Sequence, residues 1–92
     1  MFAISFDMVI VDLNKNYGMP YNNAYFEIGK VLRKYDFYST QGSLYLSTNT
    51  DMANLFRAMN ALKNIIWFKD SVRDIRAFRV EDWSNFTEFM KE

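Results

Sequence analysis

Phe2-Ala3-Ile4-Ser5-Phe6-Asp7-Met8-Val9-Ile10 alternates large apolar side chains with small or polar ones: Phe2, Ile4, Phe6, Met8 and Ile10 against Ala3, Ser5, Asp7 and Val9. A two-residue period sends the two sets to opposite faces of a strand, so the run predicts a β-strand from Phe2 to about Val11 with one core face and one more polar face. Asp7 is the only ionised side chain in it. An unpaired carboxylate is expensive to bury, so a strand that carries one keeps it wet, pairs it or uses it. Two readings stand side by side at this point: a solvent-facing residue near a strand end, and a site residue.

Downstream, Asn14-Lys15-Asn16-Tyr17-Gly18-Met19-Pro20 reads as a loop. Asn22 or Asn23 is placed to cap a helix from about Tyr21 to Tyr35, with Ala24, Ile28, Val31, Leu32 and Tyr35 on one face. Gly29 weakens that helix and allows close packing. Phe37–Thr40 and Ser43–Ser47 are two short strands joined by Gln41-Gly42 in a tight hairpin, with Leu44 and Leu46 facing away from Ser43, Tyr45 and Ser47. Thr48, Asn49 or Thr50 then caps a second helix with an apolar stripe of Met52, Leu55, Phe56, Met59, Leu62 and Ile66. A fourth strand runs through Ile75 to Val80, preceded by Ser71-Val72-Arg73-Asp74, and Ser84–Lys91 reads as a short amphipathic helix.

Ninety-two residues, half hydrophobic and 18% aromatic, suit one ordered domain spanning 1–92. Two Trp, six Tyr and nine Phe are more than a domain of this size covers alone, which predicts a homodimer. Eleven basic residues balance eleven acidic ones, so any RNA binding rests on local clusters instead of net charge. The chain has no His and no Cys, which excludes a thiolate or imidazole metal site, a Cys nucleophile, a disulfide framework and His-based acid–base pairs. Asp7 and Asp12 interrupt the N-terminal apolar run and no basic segment precedes it, so neither a signal peptide nor a membrane span is expected. A cytoplasmic protein is the expectation.

The element order β-α-β-β-α-β is the ferredoxin-like pattern, an α+β fold with a four-stranded antiparallel sheet, two helices on one face and here a short C-terminal helix. Its strand order, 4-1-3-2, brings the Asp7 end of strand one toward Ser43, which opens strand three, and toward Asp74, which precedes strand four. Lys15, in the loop leaving strand one, falls at the same end. Carboxylates with a hydroxyl, a lysine and arginines suit phosphodiester chemistry, where negative charge develops on phosphoryl oxygens. Magnesium bridging Asp7 and the phosphate is one route. In the other, Lys15 or an arginine steadies the phosphate while a carboxylate takes the proton of the attacking hydroxyl. Arg73, Arg76 and Arg79 either bind phosphate beside Asp74 or pair with Asp74, Glu81 and Asp82 as a solvated network.

Four segments, Phe2-Ala3-Ile4-Ser5-Phe6-Asp7, Tyr17-Gly18-Met19-Pro20-Tyr21-Asn22, Gln41-Gly42-Ser43-Leu44-Tyr45 and Ser71-Val72-Arg73-Asp74-Ile75-Arg76, resemble the virulence-associated protein D family in order and spacing over nearly the whole chain. That family is in turn similar to the small CRISPR-associated endoribonuclease-like subunit, with its strand ending in aspartate and its Gln-x-Ser hairpin. The resemblance implies a homodimer of ferredoxin-like subunits, with Asp7 near the dimer axis, that cleaves RNA, and in several relatives a toxin opposed by a small antitoxin. Asp7, Ser43 and Asp74 match the family's polar site positions, Lys15 lies in its lysine-bearing loop, and Gln41, Arg73 and Arg76 are the candidate RNA contacts. A different class stays open: a dimeric nucleic-acid- or protein-binding module without turnover, because a shared fold does not guarantee catalysis.

Overall fold

The computed structural model describes residues 1–18 and 20–92, so Met19, inside the expected loop, lies outside the described residues. Strand β1 (Phe2–Met8) is central, flanked by β3 (Leu44–Ser47) and β4 (Val72–Arg79), with β2 (Tyr38–Gln41) outside β3. The order β2-β3-β1-β4 and the antiparallel pairing throughout are those of the expected ferredoxin-like sheet. Phe2, Ile4, Phe6 and Met8 are all buried against the helices, so the two-residue period placed the core face correctly.

The strand stops sooner than the alternation predicts. Val9 donates its N–H to Ser71 O at 2.8 Å, and its own carbonyl accepts from Leu13 N at 2.9 Å. That second bond opens helix α1 (Ile10–Tyr17), which replaces both the end of the expected strand and most of the expected loop. Leu13 is fully buried, Ile10 is exposed, and Gly18 at φ 75° ends the helix in the left-handed conformation that glycine adopts without strain. Lys15 therefore sits in the last turn of a helix and not in a loop.

Helix α2 (Tyr21–Arg33) buries Ala24, Ile28 and Leu32 as its spacing predicts, but Pro20 occupies the N-cap position and neither Asn22 nor Asn23 caps it. At its far end Phe37 N–H donates to Leu32 O at 3.1 Å and Asp36 N–H to Arg33 O at 3.1 Å, the paired closure of a Schellman motif. Asp36 takes φ 65° to make that turn. A left-handed L-residue costs roughly 1–2 kcal/mol. Asp36→Gly, which removes that strain but frees the unfolded chain, is expected to stabilise the domain by roughly 0.5–1 kcal/mol, read as a higher denaturant midpoint at constant m.

The hairpin turn is Gly42-Ser43, one residue later than expected, because Gln41 extends β2 and pairs with Leu44. Helix α3 (Met52–Lys63) is capped by Asp51, whose carboxylate accepts from Ala53 N–H at 3.0 Å, and Asn49 in turn accepts from Asp51 N–H, so none of Thr48, Asn49 or Thr50 caps it directly. Leu55, Ala58 and Leu62 enter the core, whereas Met52 and Phe56 of the predicted stripe are exposed. Asn54 is buried instead and donates its side-chain N–H to Tyr35 O at 2.8 Å, tying α3 to the end of α2. Ile66, predicted to continue the stripe, begins a separate turn, α4 (Ile66–Lys69), which buries Phe68.

After β4, Val80 N–H donates to Met1 O at 2.8 Å. The chain then returns toward β2, where Trp83 lies beside Tyr38, Leu46 and Thr40 and Gln41, before helix α5 (Thr87–Lys91), which is shorter than the predicted Ser84–Lys91. Ala3 and Leu46 are buried on the face away from the helices, while Asp7, two rungs along the same face, is exposed. One half of that face is thus covered and the Asp7 half is left to solvent.

Candidate active site

Asp7 and Asp74 stand directly opposite each other on β1 and β4. Partners in an antiparallel ladder point to the same face with Cβ atoms about 4.5–5.5 Å apart, so two carboxylates meet side by side on the exposed half of the sheet. Asp74 is inside β4, not ahead of it as the sequence predicts. Immediately beyond this rung the register shifts, because Met8 pairs with Val72, and Arg73 is the extra residue. A bulge of this kind re-aims a side chain. Arg73 Nη1 reaches Asp7 Oδ2 at 3.3 Å, and Arg76 Nε reaches Asp74 Oδ2 at 3.0 Å.

Like charges facing each other across a ladder repel, and each arginine offsets one of them. The result is a compact, neutral group of two anions and two cations in which every member is reachable: the Asp7 side chain is 61% exposed and that of Arg73 63%. Exposed pairs of this type are worth at most about 1 kcal/mol and exchange partners readily, so an incoming phosphate can take over both arginines. Arg76 pairs with Asp74 as the solvated-network reading expects, Arg73 pairs with Asp7 instead, and among the described residues no ion pair joins either arginine to Glu81 or Asp82. Arg79 instead lies over the Phe2 ring at 5.4 Å.

Ser43 carbonyl accepts from Phe6 N–H at 3.3 Å, which sets residue 43 beside the Asp7 end of β1. Gln41, Leu44, Ser5 and Arg76 form one continuous rung across all four strands, adjacent to the aspartate pair. Four of the residues picked out in the sequence, Asp7, Asp74, Arg73 and Arg76, converge here, with Ser43 brought alongside by its backbone carbonyl and Gln41 at the far end of the neighbouring rung. Lys15 is exposed on α1, and among the described residues no ion pair links it to either aspartate.

The pairing of Arg73 with Asp7 is what sequence reading missed, because a bulge leaves no local signature in residues 71–76. Tyr25 on α2 is a second addition. Its ring stacks on Phe6 at 6.4 Å, and burial first, then the Asp7 charge, push its phenol above the ordinary tyrosine value. A folded-state pKa above the unfolded 10.0 favours the neutral phenol, so this contribution to stability is complete below pH 10.0 and is lost as pH rises through the raised value. Comparing the alkaline absorbance titrations of wild type and Tyr25→Phe isolates this phenol, and Asp7→Asn is expected to draw it back toward its ordinary value. A Tyr25 titration that Asp7→Asn leaves unmoved contradicts the charge coupling.

Among the described residues no group of three or more His, Cys, Asp or Glu is assembled to hold a metal ion. The Asp7–Asp74 pair does match magnesium, which commonly takes one or two carboxylates and completes its shell with water and substrate oxygens.

No protein-family model matches the chain. Curated relatives do. Endoribonuclease VapD 1 of Riemerella anatipestifer is 61% identical over 84 residues, covering 91% of this chain and 94% of that protein. Endoribonuclease VapD of Dichelobacter nodosus is 57% identical over 91 residues, covering 99% and 98%. The chain belongs to the VapD endoribonuclease family. Endoribonuclease VapD of Haemophilus influenzae is 54% identical over 91 residues, covering 99% of each chain, so the alignment runs through the segments that carry the carboxylate pair, the hairpin and the tail.

Proposed function

We propose that this chain is an endoribonuclease that breaks RNA phosphodiester bonds at the Asp7–Asp74 pair. The observation that carries the reading is the rung itself: two exposed carboxylates in register, each holding an arginine that a phosphate can claim. On binding, Arg73 and Arg76 turn to the phosphate oxygens and neutralise the charge that grows there. Asp7, released from Arg73, takes the proton of the attacking hydroxyl, from water or from the ribose 2′-position; the new O–P bond forms, the leaving P–O bond breaks, and the departing oxygen is protonated. Asp74 orients the attacking group, the departing oxygen takes its proton from water or from the carboxyl that Asp7 has become, and Ser43 contacts the phosphate or the 2′-hydroxyl. Lys15 has no part in this scheme. If magnesium takes part, Asp7 and Asp74 are the residues that would hold it, and it would supply charge neutralisation at the phosphate.

The active unit in this reading is a homodimer. Phe78, opposite Ala3 on the sheet face away from the helices, is large, apolar and 46% exposed in one subunit, which supports a second copy packing over it. A small antitoxin protein and a toxin role in the cytoplasm are further proposals, supported by the family resemblance; no described helix is long and apolar enough to cross a membrane.

The test is cleavage of a labelled single-stranded RNA by purified wild type beside Asp7→Asn, each with EDTA and with magnesium, after sizing both proteins. Cleavage by wild type alone supports the assignment, and the EDTA lane reads metal dependence. RNA bound tightly but uncut by folded, dimeric wild type under both conditions favours a binding module instead.

A further inference from the structure

We propose that the C-terminal tail and the end of β2 form a pocket for one unpaired nucleobase of the RNA, so that the tail selects the substrate that the Asp7–Asp74 pair cuts; this rests on the endoribonuclease reading. A cavity of about 550 Å³ lies there, lined by Thr40, Gln41, Trp83, Asn85, Phe86 and Lys91 among others. Its size falls in the range that encloses small ligands. Trp83 and Phe86 are 47% and 60% exposed, so their rings are available for stacking. Every base has a π-face, and stacking on such rings is a general way of holding single-stranded RNA.

The polar residues are of the kind that read a base edge. Asn85 Oδ1 accepts from Thr87 N–H at 2.9 Å, which fixes the amide and leaves its NH₂ to donate. Gln41 contributes a second amide and Lys91 a cation for a neighbouring phosphate. An amide offers a donor and an acceptor at fixed spacing, matching the paired donors and acceptors of a base edge.

Placement ties the pocket to the chemistry. Gln41, Leu44, Ser5 and Arg76 lie on one rung of one sheet face. Three interstrand steps span roughly 14 Å, so an extended strand of a few nucleotides with its base beside Gln41 passes a phosphate to Arg76 and the adjoining aspartates.

Trp67→Phe protein, in which Trp83 is the only tryptophan, supplies the readout. Titration with adenosine, guanosine, cytidine and uridine monophosphates is expected to quench Trp83 emission saturably for at least one of them, and Phe86→Ala in the same background abolishes that quench. In otherwise wild-type protein, Phe86→Ala raises KM on single-stranded RNA by about tenfold with kcat nearly unchanged, and Asn85→Ala flattens the preference for the base a few nucleotides from the cut. Phe86 is largely exposed, so its loss leaves the fold intact. Absence of a saturable quench, or unaltered KM and base preference in both variants of a protein that cleaves RNA, overturns the pocket and leaves the catalytic reading standing. A Phe86-dependent quench in a protein that cuts no RNA keeps the pocket and removes the catalysis.

Discussion

Asp7→Asn lowers the rate of RNA cleavage by about 10²–10⁴-fold, the span that a positioned proton-transfer group typically supplies, while the protein stays folded. Both halves of that result follow from the same rung. An amide cannot take the proton of the attacking hydroxyl, and it no longer competes with phosphate for Arg73 at 3.3 Å. Stability is a separate matter. The Asp7–Arg73 pair is exposed and contributes at most about 1 kcal/mol, and removing one of two facing carboxylates relieves a repulsion of similar size. The thermal midpoint therefore moves little, and the loss in rate cannot be charged to unfolding. Asp74→Asn leaves Asp7 in place and is expected to cost less if Asp74 orients rather than abstracts. Initial rates on one labelled RNA, with circular-dichroism melts of each variant, measure both quantities. Wild-type cleavage by well-folded Asp7→Asn protein contradicts the assignment and points to a contaminating nuclease.

The part of the molecule legible in its sequence is the part governed by period. Alternation in Phe2–Met8 assigned the core face, the i, i+4 spacing of Ala24, Ile28 and Leu32 assigned the buried stripe of α2, and the element order assigned the strand order. Helix α1 was not legible because Ile10, Val11 and the two asparagines are weak helix formers that continue a strand or open a turn on local preference alone. Tertiary contact overrides that preference: Leu13 is fully buried, and four residues on, Tyr17 packs edge-to-face on Trp67 at 4.8 Å. Gly18 was the available signal, a glycine placed where a helix ends in the left-handed region. The candidate site divides in the same way. Strand order brings Asp7 and Asp74 to one end of the sheet, but which arginine meets which carboxylate depends on the bulge at Arg73, a one-residue offset that nothing in the local sequence marks.

Phe37→Ala destabilises the domain by about 3–5 kcal/mol, the usual cost of deleting a fully buried aromatic ring. Phe37 has 0% exposure and is the largest of the fully buried side chains. It also closes the Schellman turn: its N–H donates to Leu32 O, and Leu32 is fully buried in the same apolar cluster, so the ring holds the end of α2 against the start of β2. Alanine keeps the backbone bond but leaves a cavity where the helix-to-strand corner packs. A domain of this size holds about 5–15 kcal/mol in all, so a measurable fraction of Phe37→Ala protein is unfolded even without denaturant if the total lies at the low end. Phe37→Leu, closer in volume, loses less. Denaturant midpoints at a common m separate the two variants. Activity discriminates in the opposite sense from Asp7→Asn: the folded fraction of Phe37→Ala keeps its rate per active molecule, because the corner lies at the α2–β2 junction, away from the Asp7–Asp74 rung. A loss below about 1 kcal/mol would mean that the corner collapses onto the cavity, and that the hydrogen-bonded turn at Asp36, rather than the ring, holds α2 to the sheet.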